Sequence, residues 1–155
     1  MIYALYILFI TIFVLLDQFA KKAVVSNIKL NQVIVLIKGF FNLTHVRNYG
    51  AGFSILQHAT AFLLALTVIS CIVLFYLLVT CNKRDLLSIV CYLLIISGAI
   101  GNFIDRVRYS YVIDFLDFKI FGYDFPVFNV ADCFITVGCF LLIIKLLLEA
   151  RHAKN

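Results

Sequence analysis

The sequence predicts a membrane all-α protein: four transmembrane helices, a small extramembrane β-structure between helices 1 and 2, and an extended loop between helices 3 and 4. Three observations lead there. Hydrophobic residues make up 65% of the 155 residues and the mean hydropathy is +1.09, outside the range of soluble globular domains. Four apolar runs, at about 2–20, 59–81, 86–104 and 130–148, are each long enough to cross a hydrocarbon core. The polar residues are concentrated between the runs, in a β-region at about 24–58 and in the stretch 97–132, which holds five of the eight acidic residues. With no internal repeat and no second apolar core, 1–155 reads as a single integral membrane domain.

The first run is apolar over 2–16 apart from Thr11, ends at Asp17-Gln18, and carries Lys21 and Lys22 one turn further. A cleaved signal peptide is not expected, because no basic segment precedes the run and no small-residue cleavage site follows it. Residues 33–36 and 40–46 are β-branched and aromatic around Lys38-Gly39, which predicts a short hairpin in a sheet resting on the membrane surface. Arg47-Asn48-Tyr49-Gly50-Ala51-Gly52-Phe53 then precedes the second run, its glycines allowing close backbone approach. Asn82-Lys83-Arg84-Asp85 forms a very short turn between the second and third runs. The third has only Ser88, Ser97 and Asn102 as polar positions, and Ser97 and Gly101 give it a small-xxx-small pattern for helix packing. From 106 to 128, alternation such as Tyr109, Tyr111, Ile113, Phe115 is nearer period two than 3.6, with Gly122 and Pro126 as breakers, so this segment is extended or looped. The fourth run opens at Asn129 and ends in Glu149, Arg151, His152 and Lys154.

A formal charge of +5 is compatible with nucleic acid in principle, but the thirteen Lys and Arg are scattered singly or in pairs. No basic stripe matches a phosphate backbone, so no nucleic acid is expected and membrane lipid headgroups are the natural partner. Cys71, Cys81, Cys91, Cys133 and Cys139 are odd in number and lie in or at the ends of apolar runs, without CxxC pairs or Cys/His ligand spacing. They read as small hydrophobes, neither disulfides nor metal ligands.

Helices that alternate in direction bring the end of the first, the start of the second, the end of the third and the start of the fourth to one face. Asp17, Asn48, Asp105, Asp114 and Asp132 therefore gather there. Ionisable groups at the edge of hydrocarbon are costly and are usually kept for function. Structural roles compete for each. Asp17 has Lys21 one turn on, as for a surface ion pair or snorkelling anchor. Asp105-Arg106 reads as a pair at a helix end, with Arg106 also able to orient a carbonyl or carboxylate. Gly98 and Gly101 suit close packing. Asn129 and Asp132 have the spacing of a capping box. Asp114 lies among Tyr111, Val112, Ile113 and Phe115, where a lone carboxylate gains nothing from partial burial; Asp117 and Asp124 have weaker claims of the same kind. HExxH, G-x-S-x-G and GxGD are absent. Among hydrolytic options carboxylate pairs remain, since two aspartates sharing a proton activate water without metal or covalent nucleophile.

Five segments carry a family resemblance: Asp17-Gln18 with Lys21, Asn48-Tyr49-Gly50-Ala51-Gly52-Phe53, the run from Gly98-Ala99-Ile100-Gly101-Asn102 through Phe103-Ile104-Asp105-Arg106, Val112-Ile113-Asp114-Phe115, and Phe128-Asn129-Val130-Ala131-Asp132. In this order, and placed at the span ends, they make the chain resemble lipoprotein signal peptidase, the bacterial membrane aspartyl peptidase also called signal peptidase II, nearly end to end. The resemblance implies a catalytic pair at Asp114 and Asp132, with Asp17, Lys21, Asn48, Gly101, Asn102, Asp105, Arg106, Asn129 and Ala131 supporting or lining the site. It implies an intramembrane endopeptidase that removes the signal peptide of diacylglyceryl-modified prolipoproteins just before the lipidated cysteine, without cofactor or metal, as a monomer inhibited by globomycin-type cyclic peptides. Gly52 departs from the family's usual second alanine.

The resemblance also places the protein in the bacterial inner membrane, the site towards the periplasm and both termini in the cytoplasm. Charge counting points the other way. Lys21, Lys22, Lys29, Lys38, Arg47, Arg106, Arg108 and Lys119 lie on the site face, against five basic residues on the other. A four-span transporter with a carboxylate relay is disfavoured because the aspartates sit at span ends and there is no repeat. A non-catalytic assembly factor leaves Asp114 without a use.

Overall fold

The computed structural model describes residues 2–51 and 55–152; Gly52, Phe53 and Lys154, used above, lie outside them. Four helices, α1 (Ile2–Asn27), α2 (Thr60–Thr80), α3 (Leu86–Tyr109) and α4 (Val130–His152), alternate with strands β1 (Val33–Ile37), β2 (Phe41–Asn48), β3 (Val112–Ile120) and β4 (Tyr123–Asp124). All four helices are long and apolar enough to cross a membrane. Three run past the apolar runs that predict them: α1 from 20 to Asn27, α3 from 104 to Tyr109 and α4 from 148 to His152. Hydropathy marks where lipid contact ends, whereas the helix stops where its backbone bonding stops. The added turn of α1 is held from the side, because Val24 and the following Ile28 pack against Ile113 and Phe115 of β3.

Helix α3 is the hub, more buried than the other three, which turn large apolar side chains such as Phe19, Ile72 and Leu147 outward. Its approach to α4 is close because three glycines sit at the contact. A Cβ at Gly98 would collide with the Ala131 carbonyl oxygen, and one at Gly101 would lie 2.6 Å from Asp17 Oδ2 and 3.2 Å from the Ala131 Cβ. Gly138 of α4 is the reciprocal case, against Ile95 and the Cys91 carbonyl. At the far end Asp85 caps α3 by accepting from the Ser88 N–H at 3.2 Å. Lys145 near the end of α4 reaches Asp85 at 2.8 Å and Glu149 at 2.7 Å. The five cysteines are free, Cys91 buried and the rest half-buried.

The strands form one antiparallel sheet in the order β1-β2-β3-β4. The hairpin foreseen around Lys38-Gly39 is present, with Gly39 at φ +75 in its turn. The extended segment before α4 is a strand of the same sheet: Ser110 ends α3 at φ 64 and β3 then pairs with β2, with Val46 opposite Asp114 and Asn48 opposite Val112. A period-two pattern reveals extension; it does not reveal the partner strand. This pairing is what carries Asp114 to the end of the helical bundle.

Candidate active site

The start of α4 is built by a reciprocal cap. The Asp132 N–H donates to Asn129 Oδ1 at 3.0 Å, and the Asn129 N–H donates to Asp132 Oδ2 at 3.2 Å. The capping geometry expected from the N-x-x-D spacing is therefore real, and it uses only part of each side chain. Asp132 Oδ1 accepts from Asn102 Nδ2 at 2.7 Å. Asn129 Nδ2 donates to Asp114 Oδ1 at 2.6 Å and to Asn102 Oδ1 at 3.2 Å. Asp114 completes its set with Asn48 Nδ2, 2.9 Å from Oδ2, while Asn48 Oδ1 accepts from the Gly50 N–H at 2.9 Å. Three asparagines from β2, α3 and the start of α4 thus hold the two aspartates in one network.

Asp114 is 2% exposed. Burial pushes its carboxyl up from the ordinary value of 3.8 to about 7, and the negative charge of Asp132 pushes the same way. The hydrogen bonds from Asn48 and Asn129 oppose this and are outweighed.

Behind the network lies a buried ionic knot. All three donors of the Lys21 ammonium are used: Asp17 Oδ2 at 2.9 Å, Asp105 Oδ2 at 3.0 Å and Asn102 Oδ1 at 3.0 Å. Asp17 Oδ1 accepts from the Ala131 N–H at 2.9 Å, tying α1 to the first turn of α4. Asp105 Oδ2 accepts from the Ile113 N–H at 3.2 Å, tying α3 to β3. Two sequence expectations are corrected here. Asp17 and Lys21 are not a surface pair, being 0% and 1% exposed. Nor do Asp105 and Arg106 pair with each other: Asp105 turns to Lys21, and Arg106 Nη2 donates to the Gly50 carbonyl at 2.8 Å. Successive helical residues point about 100° apart, so sequence neighbours rarely face one another.

Gly101 and Ala131 contribute by size, Gly101 by leaving room for Asp17 and Ala131 by offering its amide. Sequence reasoning gave Gln18 no separate place in the site; its Nε2 donates to Asp105 Oδ1 at 2.9 Å and to the Gly101 carbonyl at 3.2 Å. No spacing signals a partner so many residues away. Asp117 and Asp124 stand apart, Asp117 accepting from Asn42 at 2.8 Å and Asp124 pairing with Lys119 at 2.9 Å near the surface.

Asn48, Asn102, Arg106, Asp114 and Asp132 line the polar end of a cavity of about 950 Å³. Leu63, Leu66, Ser70 and Leu74 descend one wall on α2, with Ile95 of α3 and Val137 of α4 opposite. Such a volume takes a ligand the size of a short peptide segment, and its lining joins carboxylates and amides to a larger hydrocarbon surface. Two aspartates at the mouth of an apolar slot, Asp114 with its carboxyl raised by burial, can bind a water and a carbonyl together.

Residues 9–148 match the family model described as signal peptidase (SPase) II. The chain belongs to the signal peptidase II family. It is 46% identical to the lipoprotein signal peptidase of Streptococcus thermophilus over 140 residues, 90% of each chain. To that of Enterococcus faecalis it is 41% identical over 150 residues, 97% of this chain and 92% of the other. Two solved structures of bacterial membrane enzymes superimpose with TM-scores of 0.89 and 0.84 at 39% and 40% identity, covering 95% and 93% of this chain and 90% and 93% of theirs. Signal peptidase II membership makes the protein a membrane peptidase, with four apolar helices and a small sheet as the resemblance implies.

Proposed function

We propose that Asp114 and Asp132 are the catalytic pair of this signal peptidase II. The reaction is that of the family: hydrolytic removal of the signal peptide of diacylglyceryl-modified prolipoproteins, just before the lipidated cysteine. The observation that carries the proposal is the joining of a buried carboxyl group, Asp114, and a half-buried one, Asp132, by Asn102 and Asn129 at the head of an apolar cavity.

Asp132 holds the charge in the resting enzyme and Asp114 the shared proton. Asp132 lies in the first turn of α4, where free amides and the macrodipole favour an anion by about 0.3–1 kcal/mol. Asp114 is desolvated in the sheet and favours the neutral acid at physiological pH. The Asp132 carboxylate takes a proton from water as the water oxygen attacks the scissile carbonyl carbon. Neutral Asp114 gives its proton to the carbonyl oxygen. The tetrahedral diol collapses as Asp132 passes its proton to the departing amine of the cysteine and Asp114 takes one hydroxyl proton of the diol, which leaves a carboxylic acid and returns the pair to its starting singly protonated state. Asn48, Gly101, Ala131 and Arg106 shape or line this site, and Arg106 is placed to bind the backbone carbonyls of a bound segment. The signal peptide fills the apolar slot between α2, α3 and α4, where cyclic peptides of the globomycin type compete for the same space.

The protein works as a monomer in the bacterial inner membrane, with the site on the outer, periplasmic side and both termini in the cytoplasm. The excess of basic residues on the site face points the other way, and the orientation rests on the family resemblance. Four of the eight are engaged in the fold: Lys21 in its ion pairs, Arg106 on Gly50, Arg47 over the Tyr111 ring and Lys119 with Asp124. The decisive experiment is cleavage of a synthetic diacylglyceryl-modified precursor by the purified protein, with mass analysis of both products. A cut elsewhere than before the modified cysteine, or none, would overturn the proposal.

A further inference from the structure

Amide groups have two ends that shape alone cannot tell apart, and their hydrogen-bond partners decide which end faces where. Three amides contact the aspartates here, and each is oriented by a group that can only donate. The Gly50 N–H must meet Asn48 Oδ1, which turns Asn48 Nδ2 to Asp114. The Asp132 N–H must meet Asn129 Oδ1, which turns Asn129 Nδ2 to Asp114. Both of these are backbone donors fixed by a turn or a cap. Among the described residues, no backbone N–H donates to the side chain of the third amide, Asn102. Its Oδ1 faces the Lys21 ammonium at 3.0 Å, reinforced by Asn129 Nδ2 at 3.2 Å, and its Nδ2 therefore faces Asp132 Oδ1 at 2.7 Å.

We propose that Lys21 is a positioning residue: by donating to Asn102 Oδ1 it fixes which end of that amide faces Asp132, and so keeps Asp132 the ionised member of the pair. The inference rests on the catalytic assignment of Asp114 and Asp132 and gives the ionic knot a task beyond holding α1 to α3. An ammonium donates and never accepts, so the flipped amide, with Oδ1 towards the Asp132 carboxylate and Nδ2 towards Lys21, loses both bonds at once. Without Lys21 the weaker Asn129 contact alone opposes the flip. With an amide oxygen facing it, the Asp132 carboxylate loses a hydrogen bond and meets a second acceptor, so it is worse placed to take the proton of the attacking water.

The charged and titratable groups around the pair come from three helices. Helix α1 brings Lys21 and Asp17, α3 brings Asp105 and Arg106, and α4 brings Cys133, while β2 faces Asp114 with neutral Asn48 and α2 contributes Leu63 and Ser70 to the cavity wall. Removing Lys21 alone would leave two buried acids uncompensated, so the informative variant conserves charge. Asp17→Asn with Lys21→Met removes one negative and one positive charge together.

The test is the pH profile of kcat/KM for the diacylglyceryl-modified precursor, in the wild type and in that double variant. In the variant the acidic limb moves up by about one pH unit, a tenfold loss of activity on the acid side, while KM changes less than twofold. A merely structural Lys21 lowers activity at every pH and leaves the limb in place; that result overturns the proposal. If the double variant does not purify folded, Asp105→Asn with Lys21→Met, which also removes one charge of each sign, decides in the same way. Asp114→Asn is run alongside. Turnover by that variant sinks the catalytic assignment and this inference with it, whereas its inactivity with an unmoved limb sinks only the role of Lys21.

Discussion

The surroundings of Asp114 and Asp132 differ in ways that suit the two roles proposed for them. Asp132 spends one oxygen on a helix cap and accepts from an amide on the other. Asp114 is buried in the sheet with its carboxyl raised to about 7. Asp114→Asn and Asp132→Asn each are expected to lower turnover by at least 10³-fold while the proteins still insert and purify, since either change removes a proton-transfer step whole. An Asp132 that only capped α4 would cost about 1 kcal/mol of stability and leave catalysis alone; turnover of the purified variants separates the two. A pH dependence follows from the same residue. In the proposed mechanism neutral Asp114 is the proton donor and predominates below about 7, so activity is expected to fall as pH rises through that value. The basic limb of the kcat/KM profile should therefore lie near neutrality, the pair titrating as a unit.

Among the elements, the contact between α3 and α4 decides the most, because it sets the first turn of α4 and hence Asp132. Gly98→Ala puts a methyl group against the Ala131 carbonyl, a backbone atom with no freedom to swing away. Overpacking of this kind costs about 1–3 kcal/mol. Thermal unfolding in detergent should show a lowered Tm, and turnover at 25 °C should fall with it because the displaced turn carries Asp132. The opposite ends of the same helices offer the contrast. Asp85 and Lys145 join α3 to α4 far from the cavity and are partly exposed, where ion pairs contribute about 0–1 kcal/mol. Lys145→Met should accordingly change stability by no more than about 1 kcal/mol and leave kcat/KM as it is, measured on the same preparations.

For the molecule as a whole, the open question of orientation is a conflict between charge and chemistry. A cysteine-free background carrying Lys119→Cys or Lys83→Cys resolves it, since these positions lie at opposite ends of the bundle. A label that does not cross membranes should reach Cys at position 119 from outside intact cells and at position 83 only after the membrane is opened. The reverse pattern would show that the basic residues of the site face govern insertion despite their ion pairs. Exposed Val33, Val35 and Ile37 on β1 give the sheet an apolar edge, in keeping with a sheet that rests on the bilayer beside the site.

Hydropathy determined the number of spans and their alternation, and alternation put Asp17, Asn48, Asp105 and Asp132 at one end, together with the segment between α3 and α4 that holds Asp114. Both follow from the length of hydrocarbon a helix must cross. The Asn129 and Asp132 cap was also legible, because a cap is closed within four residues. What the sequence could not show is which distant groups share each carboxylate. Asp17 and Lys21 sit one turn apart in a pattern common at helix surfaces; only the docking of α1 on α3 and α4 makes them a buried knot with Asp105 and Asn102. Arg106 follows Asp105 in the chain, yet the helical turn sends one to Lys21 and the other to Gly50. The pairing of β3 with β2, likewise, joins residues more than sixty positions apart. Local pattern records what each segment buries, and partner choice is settled by packing between segments, which no period within a segment encodes.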